Sequence, residues 1–309
     1  MSLGAGLGLG LGQMWRDRAE FADLVQATEA TGWDSLWFSE HLTGPTPAAM
    51  PQLAFAAALT ERIRLGTSVT VVPGRSPVDL AKNLSTLNEL SAGRLLPIFG
   101  LGTAEPNEHA AFGVARNDRA RWLDQAMPAI RALLNGEHVD TSSDLFTLPG
   151  IGIGTSNPTL ISSLWMGGRS ERELRRASRL ADGWLGSFAG PDETRQAVAL
   201  IAEQSRRAGR SIDDDHYGLL LPYARRELPH QMRSLLATNY PQSKPSDLCP
   251  VGPEQLTDLL VAHVQAGISK FIIVPAEKPA DWSRELPVLW HEVEVGLAAA
   301  DMHKEMETV

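Results

Sequence analysis

The chain has 309 residues, of which 43% are hydrophobic and 21% charged, and its formal net charge is −9. Such a length can bury a large core as one α/β barrel or as two ordinary domains, and the acidic balance excludes a general nucleic-acid binder, which needs a basic face. Cys249 is the only cysteine, which excludes an intramolecular disulfide and a thiolate cluster, and no His-Glu-x-x-His or close histidine pair marks a metal site.

Taken in chain order, the predicted elements alternate. Residues 3–11 alternate glycine with leucine, a period-two pattern that predicts a strand with one bare face, over which another group must close; the competing reading is a flexible leader. No basic segment precedes this glycine-rich run, so it reads as neither signal peptide nor membrane span, and a cytoplasmic protein without a membrane partner is expected. A helix follows over 17–31, with Phe21, Leu24, Val25 and Thr28 on one face and Gly32 as its carboxyl cap. A short apolar strand over 33–38 stops at Ser39, Glu40 and His41. Next come an alanine-rich helix over 51–60 that starts on Pro51, and a β-branched strand over 63–72. Pro77 opens a third helix that closes near 91–93; a strand over 95–101, a charged loop and a helix over 118–134 succeed it. The turn-rich stretch 136–160 breaks the rhythm and reads as an insertion over the mouth of the fold, with a hairpin in it. Strands are then predicted over 161–166, 183–188, 217–223 and 270–275, and helices near 170–181, 191–208, 225–237, 253–266 and 281–299.

Eight strands, nearly all followed by helices, predict an α/β fold of the (β/α)₈ TIM-barrel class, with residues 1–309 as one domain. The structural alternative is an open doubly wound sheet. Its dinucleotide form wants Gly-x-Gly-x-x-Gly, and the glycines at positions 4 to 12 lack the third, three residues on.

In a barrel the chemistry gathers at the carboxyl ends of the strands. His41, just past the second strand, is a candidate proton donor or acceptor, with Glu40 as its orienting partner; a solvated loop histidine beside a surface charge is the plain alternative. Gly167 and Gly168, with Arg169 and Ser170, lie between a strand and a helix, where amides, the helix amino terminus and a guanidinium would cradle phosphate; a tight connection is the plain reading. The arginines beyond, interleaved with Glu171 and Glu173, read as a solvated face. Ser187 ends a later strand. Glu105 and Glu108 invite a carboxylate-pair reading as in glycoside hydrolysis, though no sugar-stacking aromatics surround them. Trp33, Trp37 and Trp184 are packing residues by default.

Segments 32–41, 60–69, 90–94, 165–168 and 181–184, with Gly252, Pro253, Glu254 and the Ala266-Gly267 pair, occur in an order that resembles the luciferase-like monooxygenase superfamily, within it the deazaflavin F420-dependent oxidoreductases. The resemblance implies a TIM barrel with coenzyme F420, or alternatively FMN, across its mouth, His41 beside the redox ring, and a homodimer. It implies a cis peptide bond between Ser68 and Val69 that backs the ring, a cofactor contact at Asn107, and a phosphate loop at Gly167 and Gly168. Glu40 stands where the family pattern has aspartate. Ala104 stands at the register where some relatives have a glutamate, with Glu105 one place on.

The function expected from these readings is hydride transfer between F420 and a small organic substrate. The alternatives are an FMN-dependent monooxygenase, a barrel glycoside hydrolase and a non-enzymatic cofactor-binding protein.

Overall fold

The structure is a computed structural model that describes residues 5–12, 15–154 and 163–307, the segment 299–307 as backbone alone. In chain order its elements are β1 (Gly6–Leu11), α1 (Arg18–Thr31), β2 (Ser35–Phe38), α2 (Ala49–Leu59), β3 (Arg64–Val71), α3 (Pro77–Leu90), β4 (Leu95–Gly100), α4 (Pro106–Ala111) and α5 (Arg116–Leu134). A hairpin of β5 (Val139–Ser142) and β6 (Thr147–Ile151) follows, and then β7 (Trp165–Gly167), α6 (Glu171–Leu180), β8 (Gly183–Ser187), α7 (Pro191–Arg207) and β9 (Tyr217–Tyr223). The chain ends with α8 (His230–Asn239), α9 (Pro245–Leu248), α10 (Gly252–Gln265), β10 (Lys270–Pro275) and α11 (Trp282–Glu307).

Eight parallel strands close in the order β1-β10-β9-β8-β7-β4-β3-β2, and β5-β6 form a separate antiparallel ribbon. This is the expected (β/α)₈ barrel, with the expected hairpin inside the insertion; residues 155–162 of that insertion and of the strand placed at 161–166 lie outside the described residues. Among the described residues no helix is long and apolar enough to cross a membrane.

The glycine–leucine strand explains itself once the barrel closes. Leu7, Leu9 and Leu11 face outward into the large layer between strands and helices. The bare inner face is filled by Trp37, whose indole would lie 2.5 Å from a Cβ at Gly8 and 2.2 Å from one at Gly66. Trp165 occupies the space over Gly183 in the same way, at 2.3 Å. Trp37, Ile98, Trp165, Leu185 and Ile272 thus form the plug inside the barrel, and glycine is used where an indole needs the room.

Several elements differ from expectation, three of them for a local reason. The helix predicted from Pro51 begins at Ala49, and Pro51 sits in the first turn, where no backbone donor is needed. The charged loop after β4 contains α4, a helix of 6 residues with Pro106 in its opening turn, too short to show a period. The helix predicted from 225 starts at His230, because Pro229 forces the residue before it away from helical geometry. The same stretch holds the additional short helix α9, and α11 runs on to Glu307.

Candidate active site

At the carboxyl end of β2 the register pairs Phe38 with Thr67, so β2 ends beside Ser68 while β3, still paired with β4, continues to Val71. The Ser68–Val69 peptide bond is cis, as expected, and a register shift between Ser68 and Thr70 bulges Val69 out of the ladder with β4. The Val69 side chain crosses the mouth: a Cβ at Gly100 or at Gly167 would come within 2.7 Å of its methyl groups. The Ser68 hydroxyl oxygen is buried and makes no hydrogen bond among the described residues.

His41 is half-buried at this rim. Glu40, expected to orient it, does something else. Its carboxylate is 7% exposed and accepts from the Val71 amide (2.7 Å) and from the Arg75 guanidinium (2.7 Å). Burial pushes its carboxyl above the ordinary range, against the pull of Arg75 and the Val71 amide. Glu40 therefore ties the end of β2 to the end of β3. Arg75 in turn lies over the Phe112 ring (5.7 Å), and Arg119 lies against the same ring (5.4 Å).

On the β4 side, the short helix α4 separates two acids. Glu105 is exposed, whereas Glu108 is buried with its carboxylate turned onto Leu42 and Thr43. One is in solvent and the other is occupied by backbone, so they do not form the acid–base pair of a glycoside hydrolase. Asn107, the expected cofactor contact, is exposed on α4.

Another part of the rim carries Gly167, Gly168, Arg169 and Ser170, expected to cradle phosphate, and the donors there are engaged within the protein. Gly168 has φ +149°, and a Cβ there would lie 2.5 Å from the Glu173 side chain, so this position takes glycine. Its amide points at the Leu185 carbonyl (3.4 Å) and its carbonyl accepts from the Trp184 indole (2.8 Å). One oxygen of Glu173 accepts from the amides of Arg169 (3.0 Å) and Ser170 (2.9 Å) and from the Ser170 hydroxyl (2.8 Å). Ser170 and Glu173 form a reciprocal capping box on α6, a pairing the solvated-face reading missed although Ser-x-x-Glu is its signature. Arg169 is bidentate to Glu193 (2.9 Å each) and lies 4.5 Å over the Tyr240 ring, which stacks on Phe188. Phe188 itself adopts φ +49°, rare outside glycine, just after the half-buried Ser187. Tyr240 lies in the long connection after β9, where no sequence pattern pointed to it.

These residues fit a flat ring with an anionic tail. At the ring end, a hydroxyl that is buried and has no partner among the described residues lies beside the bulged Val69. At the tail end, two amides and a hydroxyl converge on one carboxylate oxygen, which is anion-holding chemistry with Glu173 as the present occupant.

Comparison with known proteins bears on the family and the fold. The F420-dependent glucose-6-phosphate dehydrogenase of Nakamurella multipartita is 28% identical over 208 residues, covering 63% of this chain and 60% of that relative. The chain thus spans about three fifths of that relative's length. An F420-dependent secondary alcohol dehydrogenase in complex with an F420–acetone adduct superposes with a TM-score of 0.80 at 18% identity, over 95% of this chain and 99% of that one. The FMN-bound oxygenating constituent of 3,6-diketocamphane monooxygenase from Pseudomonas putida superposes with a TM-score of 0.70 at 15% identity, over 94% of this chain and 96% of that one. Both structures share the barrel. The luciferase-like monooxygenase family matches residues 3–265, and the chain belongs to that family.

Proposed function

We propose that the protein is an F420-dependent oxidoreductase that transfers hydride between the deazaflavin and a small organic substrate. The observation that carries the reading is at the β2–β3 rim: a buried Ser68 hydroxyl without a partner among the described residues, next to the bulged Val69, with half-buried His41 just past the end of β2. The bound deazaflavin supplies or accepts the hydride. Val69 backs the ring, and the Ser68 hydroxyl donates to or accepts from its polar edge. An imidazole nitrogen of His41 holds the proton that accompanies hydride transfer. Gly167, Gly168 and Arg169 would hold the tail of the cofactor, and Ser187 and Asn107 would be further contacts to it. The F420-dependent relative favours the deazaflavin, and the FMN-bound neighbour on the same barrel keeps FMN monooxygenation as the second reading. One domain over residues 1–309, a homodimer and a cytoplasmic location complete the proposal; sedimentation tests the dimer.

Titration of the purified protein with F420 and with FMN decides between the two readings. Micromolar F420 binding is expected, and FMN binding at that level without F420 binding overturns the preference. His41→Ala should lower kcat/KM by about 10²- to 10⁴-fold, the usual contribution of a placed acid or base; full activity removes His41 from the chemistry.

A further inference from the structure

We infer that Glu108 is the positioning residue of His41, acting through the backbone of the turn that follows it. This rests on the reading of His41 given above. The turn has little else to hold it: Leu42 is 47% exposed, and Thr43 and Gly44 also face solvent, so apolar packing does not hold it in place. Hydrogen bonds do. One Glu108 oxygen accepts from the Leu42 amide (3.1 Å), the other from the Thr43 amide (2.6 Å) and the Thr43 hydroxyl (2.5 Å). On the other side of His41, Glu40 is bound to the Val71 amide and to Arg75. The imidazole is thus carried between two anchored neighbours, one tied to β3 and one to α4, and none of these bonds uses the ring.

The anchor is built to stay charged. Burial raises the Glu108 carboxyl, but the Thr43 hydroxyl and the Thr43 and Leu42 amides outweigh it and hold the group below the ordinary carboxylate range. Arg119 sits behind it, almost fully buried, supplies attraction, and anchors its own guanidinium on the Leu101 carbonyl. With three of its roughly four acceptor sites taken by the turn, Glu108 is committed to Leu42 and Thr43, and its proposed part is to place them. Its effect is geometric: a displacement of about 1 Å in a placed group costs up to about 100-fold in rate.

The test uses the full chain and the variants Glu108→Gln, Glu108→Asp, Thr43→Val and Thr43→Ser, with Glu105→Gln as the exposed control. Amide hydrogen exchange is followed by NMR without cofactor, and turnover is measured separately. In Glu108→Gln the Leu42 and Thr43 amides should exchange at least about tenfold faster while β3 amides keep their protection; kcat should fall about 10- to 100-fold with KM little changed. Glu108→Asp should recover part of both. Thr43→Val, which leaves the core untouched, should show the same pattern about threefold to tenfold, and Thr43→Ser should match the parent. Unchanged exchange at 42 and 43 in Glu108→Gln, or protection lost evenly across the barrel, overturns the proposal, as does unchanged kcat in an active protein. If Glu108→Gln does not fold, the Thr43 pair decides. If the parent turns over neither cofactor, the functional reading fails while the exchange measurements still decide the clamp.

Discussion

The two rims of the barrel mouth are both lined by carboxylates, yet they use them differently. At the β2–β4 rim, Glu40 and Glu108 are buried and reach across the fold, from one strand end to the next and from α4 to a turn more than sixty residues earlier. At the β7–β8 rim, Glu173 answers amides three and four residues away, and Glu193, on the first turn of α7, is substantially exposed. Long-range buried acids make a rim whose geometry belongs to the whole fold. Local acids make one whose donors can be handed to another anion, because an exposed pair is stabilised by little and released cheaply. The rim that carries His41 is held by long-range bonds, and the rim that carries Gly168 is held by local ones.

The largest effect that should follow from this contrast is at Arg75. Arg75→Met leaves the Glu40 carboxylate buried without its cation and should cost about 3 kcal/mol in denaturant unfolding at neutral pH. The loss should shrink on acidification. The Glu40 carboxyl is raised in the folded state, so the folded protein takes up its proton before the unfolded chain does, and its linkage favours folding at low pH and declines as pH rises through the folded value. Glu108 has the opposite sign: its contribution is present above the unfolded value and is lost as pH falls through the depressed folded one. An acid titration followed by NMR should therefore disturb the Val71 amide first and the Thr43 amide only at lower pH; the reverse order would break the comparison. Arg169→Met, on the other rim, should cost about 1 kcal/mol, since its pair with Glu193 is partly exposed and its remaining contact is the Tyr240 ring. A cost as large as that of Arg75→Met would erase the distinction between rims. Glu173→Gln should be the mildest, about 0.5 kcal/mol of capping lost. It should also tighten binding of a phosphate-bearing ring relative to the same ring without phosphate; equal affinities would show that the amides of Arg169 and Ser170 are not donors to the tail.

What could be read from the sequence follows the range of the interactions involved. Alternating glycine and leucine announced a strand with a vacant face, but not that Trp37, one strand over, fills it. Gly32 as a carboxyl cap, Pro77 as a helix start and the cis bond at Ser68–Val69 were legible because each is local or carried by a motif. The capping box of Ser170 and Glu173 was equally local, and a search for phosphate donors passed over it. Glu108 was not legible in its role: in the chain it is one acid in a charged stretch, and only closure of β2 against β3 and β4 brings the Leu42 and Thr43 amides to it. Glu40 was read as a partner of His41, and its hydrogen bonds to the Val71 amide and Arg75 could not be read from the chain, since the end of β3 meets it only in three dimensions.

Between β4 and β7 the chain leaves the barrel, forms α4, α5 and the β5–β6 ribbon, and returns to a neighbouring stave, where Ile98 pairs with Trp165 and Phe99 with Met166. Because departure and return are adjacent, the length of that detour does not enter the stagger of the staves, and lengthening it costs only slowly growing closure entropy. Grafting a different ribbon onto this seam is the way to reshape the surface that packs against α5 while the staves stay in register.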